Sequence, residues 1–271
     1  MYEAVILGLA QGLAEFLPIS SSGHLALISY FFGIDEANAL TFAIMLHVGT
    51  LLSVFAVFFT DIRDLIAEFF RVIGDIFKGR GASPNLNPTR KLGFLIIVAT
   101  IPTGIIGVLL KDVFEAMFGS LTIIGIGFLV TGTILLAAET IGSNRNNFLD
   151  MKFRSAIFVG ICQGIAIWPG ISRSGATIFG SLVCGVTRDH AVRFVFILSI
   201  PAIIGATLLD VRHGIDALEL SVFAGMAVSA VSGFIAIKTM IRVIAKKKLI
   251  WFSVYTWLLG ISVLCYVFFL S

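Results

Sequence analysis

The chain has 271 residues, of which 58% are hydrophobic and only 13% charged, where charged residues make up about a quarter of an average soluble domain. Its mean hydropathy of +1.03 argues against a soluble fold, and long unbroken apolar runs such as 42–59 and 121–138 argue against the short alternating strands of a membrane barrel. The formal net charge of +3 comes from basic residues that flank apolar segments, as membrane topology requires, and does not imply nucleic acid.

The first apolar region, 4–32, is interrupted by Gly, Pro and Ser, and each half is too short to cross a bilayer. A full span is predicted near 40–60, followed by a loop at 61–91 carrying Arg63, Arg71, Lys78, Arg80, Arg90 and Lys91, with Asn85–Pro88 read as flexible. Spans near 92–110 and 120–140 lead to a loop at 141–154 with Arg145, Lys152 and Arg154. The region 155–186 is broken like the first, and spans near 192–210, 218–238 and 250–270 complete the chain. Lys238, Arg242, Lys246, Lys247 and Lys248 lie between the last two. Cys162, Cys184 and Cys265 lie in apolar stretches without metal-ligand spacing, so no disulfide is expected. The start, Met1-Tyr2-Glu3, has no basic n-region, so no cleaved signal peptide is expected.

Shifting the chain by 152 positions exposes a repeat. Gly8-Leu-Ala-Gln11-Gly12-Leu-Ala14 matches Gly160-Ile-Cys-Gln163-Gly164-Ile-Ala166, and Ile19-Ser20-Ser21-Ser22-Gly23 matches Ile171-Ser172-Arg173-Ser174-Gly175. Phe42 and Phe194 share the offset. Paired, Gly/Pro-interrupted segments in two halves point to a polar site at mid-membrane. If both regions are re-entrant hairpins, the basic loops share one side with Arg188 and Arg193, and the other side keeps only Lys111 and Arg212. If each were a single span, the 61–91 and 238–248 clusters would face opposite sides, against the positive-inside rule. The expected fold is therefore an all-α polytopic membrane protein of one domain. It has six transmembrane helices and two re-entrant helical hairpins in an inverted-topology repeat, approximately 1–140 and 153–271, with both termini outside.

Polar side chains are costly in lipid, which makes them informative. The first hairpin carries Gln11, Glu15, Ser20, Ser21, Ser22 and His24; the second carries Gln163, Ser172, Arg173, Ser174 and Thr177. Each tip leads into a new helix that Ser can cap, and the free N–H groups there form a ready anion site. Gly23 and Gly175 would let an anion approach the backbone, and the Arg173 fork suits phosphate oxygens. Ser21 and His24 are three apart, a spacing that permits a hydroxyl–imidazole contact. Glu15 could pair with His24, orient it or hold a divalent cation. These groups make a phosphoryl-hydrolysis set, with Ser21, Ser22, His24 or water as the nucleophile. The plainer readings are Ser and Gly as close-packing residues, and Glu15 with Arg173 as a structural buried pair. His47 either lines the cavity or packs within its span, Glu139 and Asp210 read as interfacial, and a transporter or lipid flippase is the alternative to an enzyme.

At Gln11-Gly-Leu-Ala-Glu15-Phe-Leu-Pro-Ile-Ser-Ser-Ser-Gly-His24 and Pro169-Gly-Ile-Ser-Arg-Ser-Gly-Ala-Thr177 the chain resembles the undecaprenyl-diphosphate phosphatases of the bacitracin-resistance type. Their motifs are (E/Q)xxxE…SSxGH and PGxSRSxxT. The resemblance covers essentially the whole chain, including His47-Val-Gly-Thr50 and Gly205-Ala-Thr-Leu-Leu-Asp210. It implies hydrolysis of a polyprenyl diphosphate to the monophosphate plus phosphate at the outer face of the plasma membrane. That reaction recycles the lipid carrier for cell-wall glycan synthesis and confers bacitracin resistance. By motif match, Glu15, Ser21, His24 and Arg173 take the catalytic roles. Gln11, Ser20, Ser22, Gly23, Gln163, Ser172, Ser174, Gly175 and Thr177 contact substrate, and a divalent cation, Mg²⁺ or Ca²⁺, sits near Glu15. Gln11 stands where some members have Glu. The partners implied are the polyprenyl diphosphate and the bilayer, with a homodimer left open and no nucleic acid. Likeness to the type 2 phosphatidic acid phosphatases is superficial: their motif needs a His six residues after the Arg, and Phe179 stands there.

Overall fold

The computed structural model describes residues 1–34, 36–141, 146–211, 220–246 and 248–269, without the side chains of 36–43 and 209–211. Among the sequence expectations, Arg145, Arg212, Lys247 and the side chains of Phe42 and Asp210 lie outside the described residues.

Among the described residues the backbone forms twelve α-helices, and no strand beyond an isolated bridge between Asn146 and Val186. They are α1 (Tyr2–Phe16), α2 (Ser21–Phe32), α3 (Glu36–Val57), α4 (Phe59–Phe77), α5 (Pro88–Leu109) and α6 (Lys111–Phe118), then α7 (Leu121–Thr140), α8 (Phe153–Ile165), α9 (Arg173–Val183), α10 (Arg188–Val211), α11 (Leu220–Ala245) and α12 (Ile250–Phe269). α5, α7, α10, α11 and α12 are each long and apolar enough to cross a bilayer; Ile44–Val57 and α4 together make a sixth apolar candidate, bent by 85°. The chain is thus a polytopic helical membrane protein.

Two departures from the sequence reading concern the basic stretch 61–91. It is no plain loop, because most of it forms α4. Asn85–Pro88 is also ordered: Pro84–Leu86 makes a 3-10 turn, Asn85 accepts from Lys91 at 3.0 Å, and Asn87 caps α5 by accepting from the Arg90 N–H at 2.8 Å. The reason is local. Asn87 followed by Pro88 is a strong helix start.

The 152-residue offset reappears in the helix starts, and the packing follows a parallel order. α3 starts at Glu36 and α10 at Arg188, while α1–α2 corresponds to α8–α9. α1 packs on α11 and α11 on α3; in the same way α8 packs on α5 and α5 on α10. Each half therefore lends the other a helix. Small residues make these crossings close. A β-carbon on Gly12 would sit 2.5 Å from the Ser229 carbonyl oxygen, and one on Gly160 would sit 2.1 Å from that of Ala99, the small-residue packing by which membrane helices approach each other.

Contacts also gather the basic segments at one end of the bundle. Arg193 pairs with Asp61, and the Lys91 ammonium lies 4.1 Å over the Phe153 ring. Glu139 accepts from the Leu249 N–H at 2.9 Å, so it anchors that end instead of facing solvent alone. Arg188 donates to the carbonyls of Ala138, Glu139 and Ile141 at the end of α7. α8 and α9 begin and finish at this same end, since the Cys184 thiol reaches the Ser155 carbonyl at 4.0 Å. The three cysteines are free.

Candidate active site

α1 and α2 have 15 and 12 residues, α8 and α9 have 13 and 11. At 1.5 Å per residue the longest reaches about 22 Å, short of the roughly 30 Å hydrocarbon core. Pro18 and Gly170 interrupt the two segments, and a serine restarts each helix. Ser20 Oγ accepts from the Gly23 N–H at 3.3 Å, and Ser172 Oγ accepts from the Gly175 N–H at 3.2 Å. Each cap also meets the serine two residues on, Ser22 and Ser174, at 3.2 Å.

The two tips touch. Gly170 has φ of 89°, and its Cα lies 3.0 Å from where a β-carbon on Gly23 would be. Ser174 Oγ donates to the Leu17 carbonyl of the other tip at 3.3 Å. Thr131 on α7 secures the second tip, donating to the Gly170 carbonyl at 2.8 Å and accepting from the Ser172 N–H at 2.9 Å. The caps are not identical. Ser20 has φ of 70°, the one non-glycine residue with positive φ among the described residues, whereas Ser172 sits at −77°. Such a conformation costs on the order of 1–3 kcal/mol and persists only where its surroundings impose it.

Glu15 is the hub. It lies in the last turn of α1 and is buried. One carboxylate oxygen takes the Arg173 guanidinium. The other accepts from Ser21 Oγ at 2.6 Å and from Gln11 Nε2 at 2.9 Å, with His47 Nε2 at 3.9 Å. Both carboxylate oxygens therefore have donors. Gln11 is wholly buried, and its Oε1 has no hydrogen-bond partner. A cavity of about 10 Å³, lined by Glu15, Gln163, Arg173, Thr177, Phe196 and Ser199 among others, adjoins this hub. It has room for about one water.

Several sequence-predicted residues thus converge, and two do not. Glu15, Gln11, Ser21 and Arg173 meet directly. Ser20, Ser22, Gly23, Ser172, Ser174 and Gly175 build the two tips, and Thr177 braces α9 by donating to the Arg173 carbonyl at 2.7 Å. Gln163 lines the cavity but donates to Thr103 at 3.2 Å. The ring nitrogens of His24 are bonded to neither Ser21 nor Glu15. Its Nδ1 meets the Ser20 carbonyl at 2.7 Å and its Nε2 meets the Tyr255 hydroxyl at 2.7 Å. The imidazole stacks on Tyr255 and stands edge-on to Phe128. A helix spacing of three brings Ser21 and His24 to one side, but the aromatic pair on α7 and α12 turns the ring away. Tyr255, Thr131 and Ser199 carry no local motif and were not expected from sequence.

Two broken helices that bring a carboxylate, hydroxyls, free helix N-termini and a guanidinium together define a membrane-embedded protein built to handle an anion. The chain belongs to the bacitracin resistance protein BacA family, whose sequence profile matches residues 4–262. It is 48% identical to the undecaprenyl-diphosphatase of Alkaliphilus metalliredigens, with 98% of both chains covered. It is 43% identical to that of Carboxydothermus hydrogenoformans, over 97% of this chain and 96% of the relative. Identity to that of Methanosphaera stadtmanae is also 43%, over 96% and 95%.

Proposed function

We propose that this chain hydrolyses undecaprenyl diphosphate to undecaprenyl phosphate and inorganic phosphate. The observation that carries the proposal is the junction of Glu15, Ser21 and Arg173 at the meeting hairpin tips, in a chain that matches named undecaprenyl-diphosphatases from end to end. A flippase needs broken helices, but it has no use for a hydroxyl hydrogen-bonded to a carboxylate.

Arg173 exchanges the Glu15 carboxylate for the terminal phosphate, which opens the one-water cavity to the diphosphate. Backbone N–H groups at the starts of α2 and α9 hold its remaining oxygens. Ser21 Oγ attacks the terminal phosphorus while Glu15 takes its proton; the bridging P–O bond breaks and undecaprenyl phosphate leaves. The departing undecaprenyl phosphate takes that proton from Glu15; water then attacks the phosphoserine, Glu15 accepts the water proton, the Ser21 Oγ–P bond breaks, and Glu15 returns the proton to Ser21 Oγ. His24, whose Nε2 accepts from the Tyr255 hydroxyl, can take up a proton there and pass it to water.

A divalent cation fits this donor set in one way. Among the described residues no group of three His, Cys, Asp or Glu side chains stands together, so a complete protein cage is absent there. The free Gln11 Oε1 beside the Glu15 carboxylate offers two hard oxygens, and Mg²⁺ commonly binds through one or two protein oxygens with substrate phosphates supplying more. Gln11 and Glu15 would hold it, and it would neutralise diphosphate charge.

The finer topology belongs to the same proposal: six spans and two re-entrant hairpins, the first entering from outside and the second from inside. The clustering of basic segments at one end supports it, and with it a site that opens toward the outer face. Purified protein in detergent, given undecaprenyl diphosphate with Mg²⁺ or Ca²⁺, should release phosphate. No release under any cation would refute the enzyme assignment.

A further inference from the structure

α4 is amphipathic the wrong way round for a helix in water. Three of its four acids face the protein: Glu68, 5% exposed, accepts from Arg90 of α5 at 2.9 Å, Asp75 accepts from the same Arg90 at 2.9 Å, and Asp61 pairs with Arg193 of α10. Its large apolar side chains face outward. Phe59, Ile66, Phe70 and Phe77 recur at spacings of seven, four and seven, one face of an α-helix. Phe69 and Ile76 widen the stripe. Phe70 is 64% exposed and Phe77 86%. A stripe of this size has no place in water. α4 also turns 85° from the end of α3, so it runs nearly perpendicular to a span and close to the membrane plane.

The charges around the stripe are basic. Arg63 and Arg71 lie in α4, Lys78 is its C-cap and Arg80 follows two residues later. A hollow of about 610 Å³ opens between α4 and the start of α5, lined by Arg71, Lys78, Arg90 and Asn87 with Phe70 and Leu86. Its two carboxylates, Glu68 and Asp75, are both bound by Arg90, and Arg71 also holds Glu68 at 2.7 Å. Three cations against two carboxylates leave the hollow net positive.

We propose that α4 is an interfacial docking helix for anionic phospholipid. Its phenylalanine stripe lies in the acyl–headgroup boundary, and a phosphate-bearing headgroup sits in the hollow beside Lys78. Apolar burial and basic attraction act together in such helices, and each basic side chain near an anionic surface adds to the attraction. Binding energy is thereby separated from the ion pairs, which serve only to bolt α4 to α5 and α10.

The test reads immersion and lipid choice, not phosphatase activity, so it stands or falls apart from the catalytic proposal. In a variant with Cys162, Cys184 and Cys265 changed to Ser, single cysteines replace Ile66, Phe70 and Phe77 on the stripe and Asp64 and Ala67 off it. Each is spin-labelled and reconstituted in phosphatidylglycerol–phosphatidylcholine vesicles. The stripe should be open to oxygen and shielded from a water-soluble nickel chelate, with the reverse at Asp64 and Ala67. Nickel access all round the helix would overturn immersion. Shielding of the stripe from both reagents would replace the bilayer by a second protein surface and overturn the proposal as well. Native mass spectrometry from micelles holding both lipids supplies the other arm. Wild type should retain phosphatidylglycerol over phosphatidylcholine, and Lys78→Gln with Arg80→Gln should cut that preference at least about threefold. Equal retention in wild type, or an unchanged preference in the variant, would refute the anionic headgroup.

Discussion

Arg173 donates to the Glu15 carboxylate across 158 residues of sequence, tying the tip of the second hairpin to the end of α1. Both groups are drawn from water, Glu15 more completely than Arg173. Removing one partner strands a charge in an apolar setting, which costs about 3–5 kcal/mol, whereas replacing both by apolar side chains is often neutral. Stability and catalysis can therefore be told apart. Arg173→Ala should lose at least about a hundredfold in rate, the loss expected for a donor to transition-state charge, and should also melt earlier. Arg173→Met combined with Glu15→Leu should recover melting temperature but no activity. Recovery of activity in that double variant would reduce the pair to structural glue. Arg173→Lys should remain well below wild type, because an ammonium lacks the planar fork.

Ser21 and Ser22 are adjacent and chemically alike, yet they are placed differently. Ser21 Oγ donates to Glu15 at 2.6 Å, while Ser22 Oγ meets the cap hydroxyl of Ser20 at 3.2 Å. Phosphate release from Ser21→Ala should fall by at least about two orders of magnitude, in keeping with loss of an activated nucleophile. Ser22→Ala should stay within roughly tenfold of wild type, since it loses only one side-chain contact. The opposite ranking would move the nucleophile to Ser22.

Much of this site was legible in the sequence because the repeat marks it. Gly8, Gln11, Gly12 and Ser20 recur 152 residues later, and costly polar groups in a lipid-soluble chain have few reasons to be there. The broken helices and the caps at Ser20 and Ser172 followed from local rules for Gly, Pro and Ser. The orientation of His24 did not. It depends on Phe128 and Tyr255, which lie in other helices and leave no pattern near His24 in the sequence. The contact of His47 with Glu15 was likewise open, since a histidine within a span is as readily a packing residue. α4 escaped notice because a surface helix with acids inside and phenylalanines outside carries too many charges to read as a span.

Tyr255 is therefore the less obvious partner of His24. The Ser20 carbonyl can only accept, so His24 Nδ1 must carry the proton and Nε2 must accept from the Tyr255 hydroxyl. Tyr255→Phe keeps the ring stack but removes that donor. The change should lower kcat by roughly three- to tenfold with little effect on KM, consistent with loss of one neutral hydrogen bond. Nitrogen NMR of the His24 imidazole should show a mixed tautomer in the variant and a single one in wild type. An unmixed tautomer in Tyr255→Phe would show that the Ser20 carbonyl alone fixes the ring.

The cation assignment turns on Gln11. Chelation with EDTA should abolish phosphate release, and Mg²⁺ or Ca²⁺ should restore it. Gln11→Glu adds a second carboxylate beside Glu15, which should lower the cation concentration giving half-maximal rate. Gln11→Leu removes the free oxygen and should raise it at least about tenfold, as loss of one ligand oxygen would. Unchanged cation dependence in both variants would leave Gln11 a packing and hydrogen-bonding residue.

Topology has its own test at the two ends of the bundle. Asn85 is exposed in the basic segment before α5, and Glu115 is exposed on α6, beyond the other end of that span. In a background with Cys162, Cys184 and Cys265 changed to Ser, Asn85→Cys should resist a membrane-impermeant maleimide in intact cells and label fully after lysis. Glu115→Cys should label in intact cells. The expectation rests on the excess of Lys and Arg at the Asn85 end, which the positive-inside rule keeps in the cytoplasm. Labelling of Asn85→Cys in intact cells would invert the protein in the membrane. It would turn the His24–Tyr255 mouth toward the cytoplasm, where the diphosphate would have to be presented from the inner leaflet.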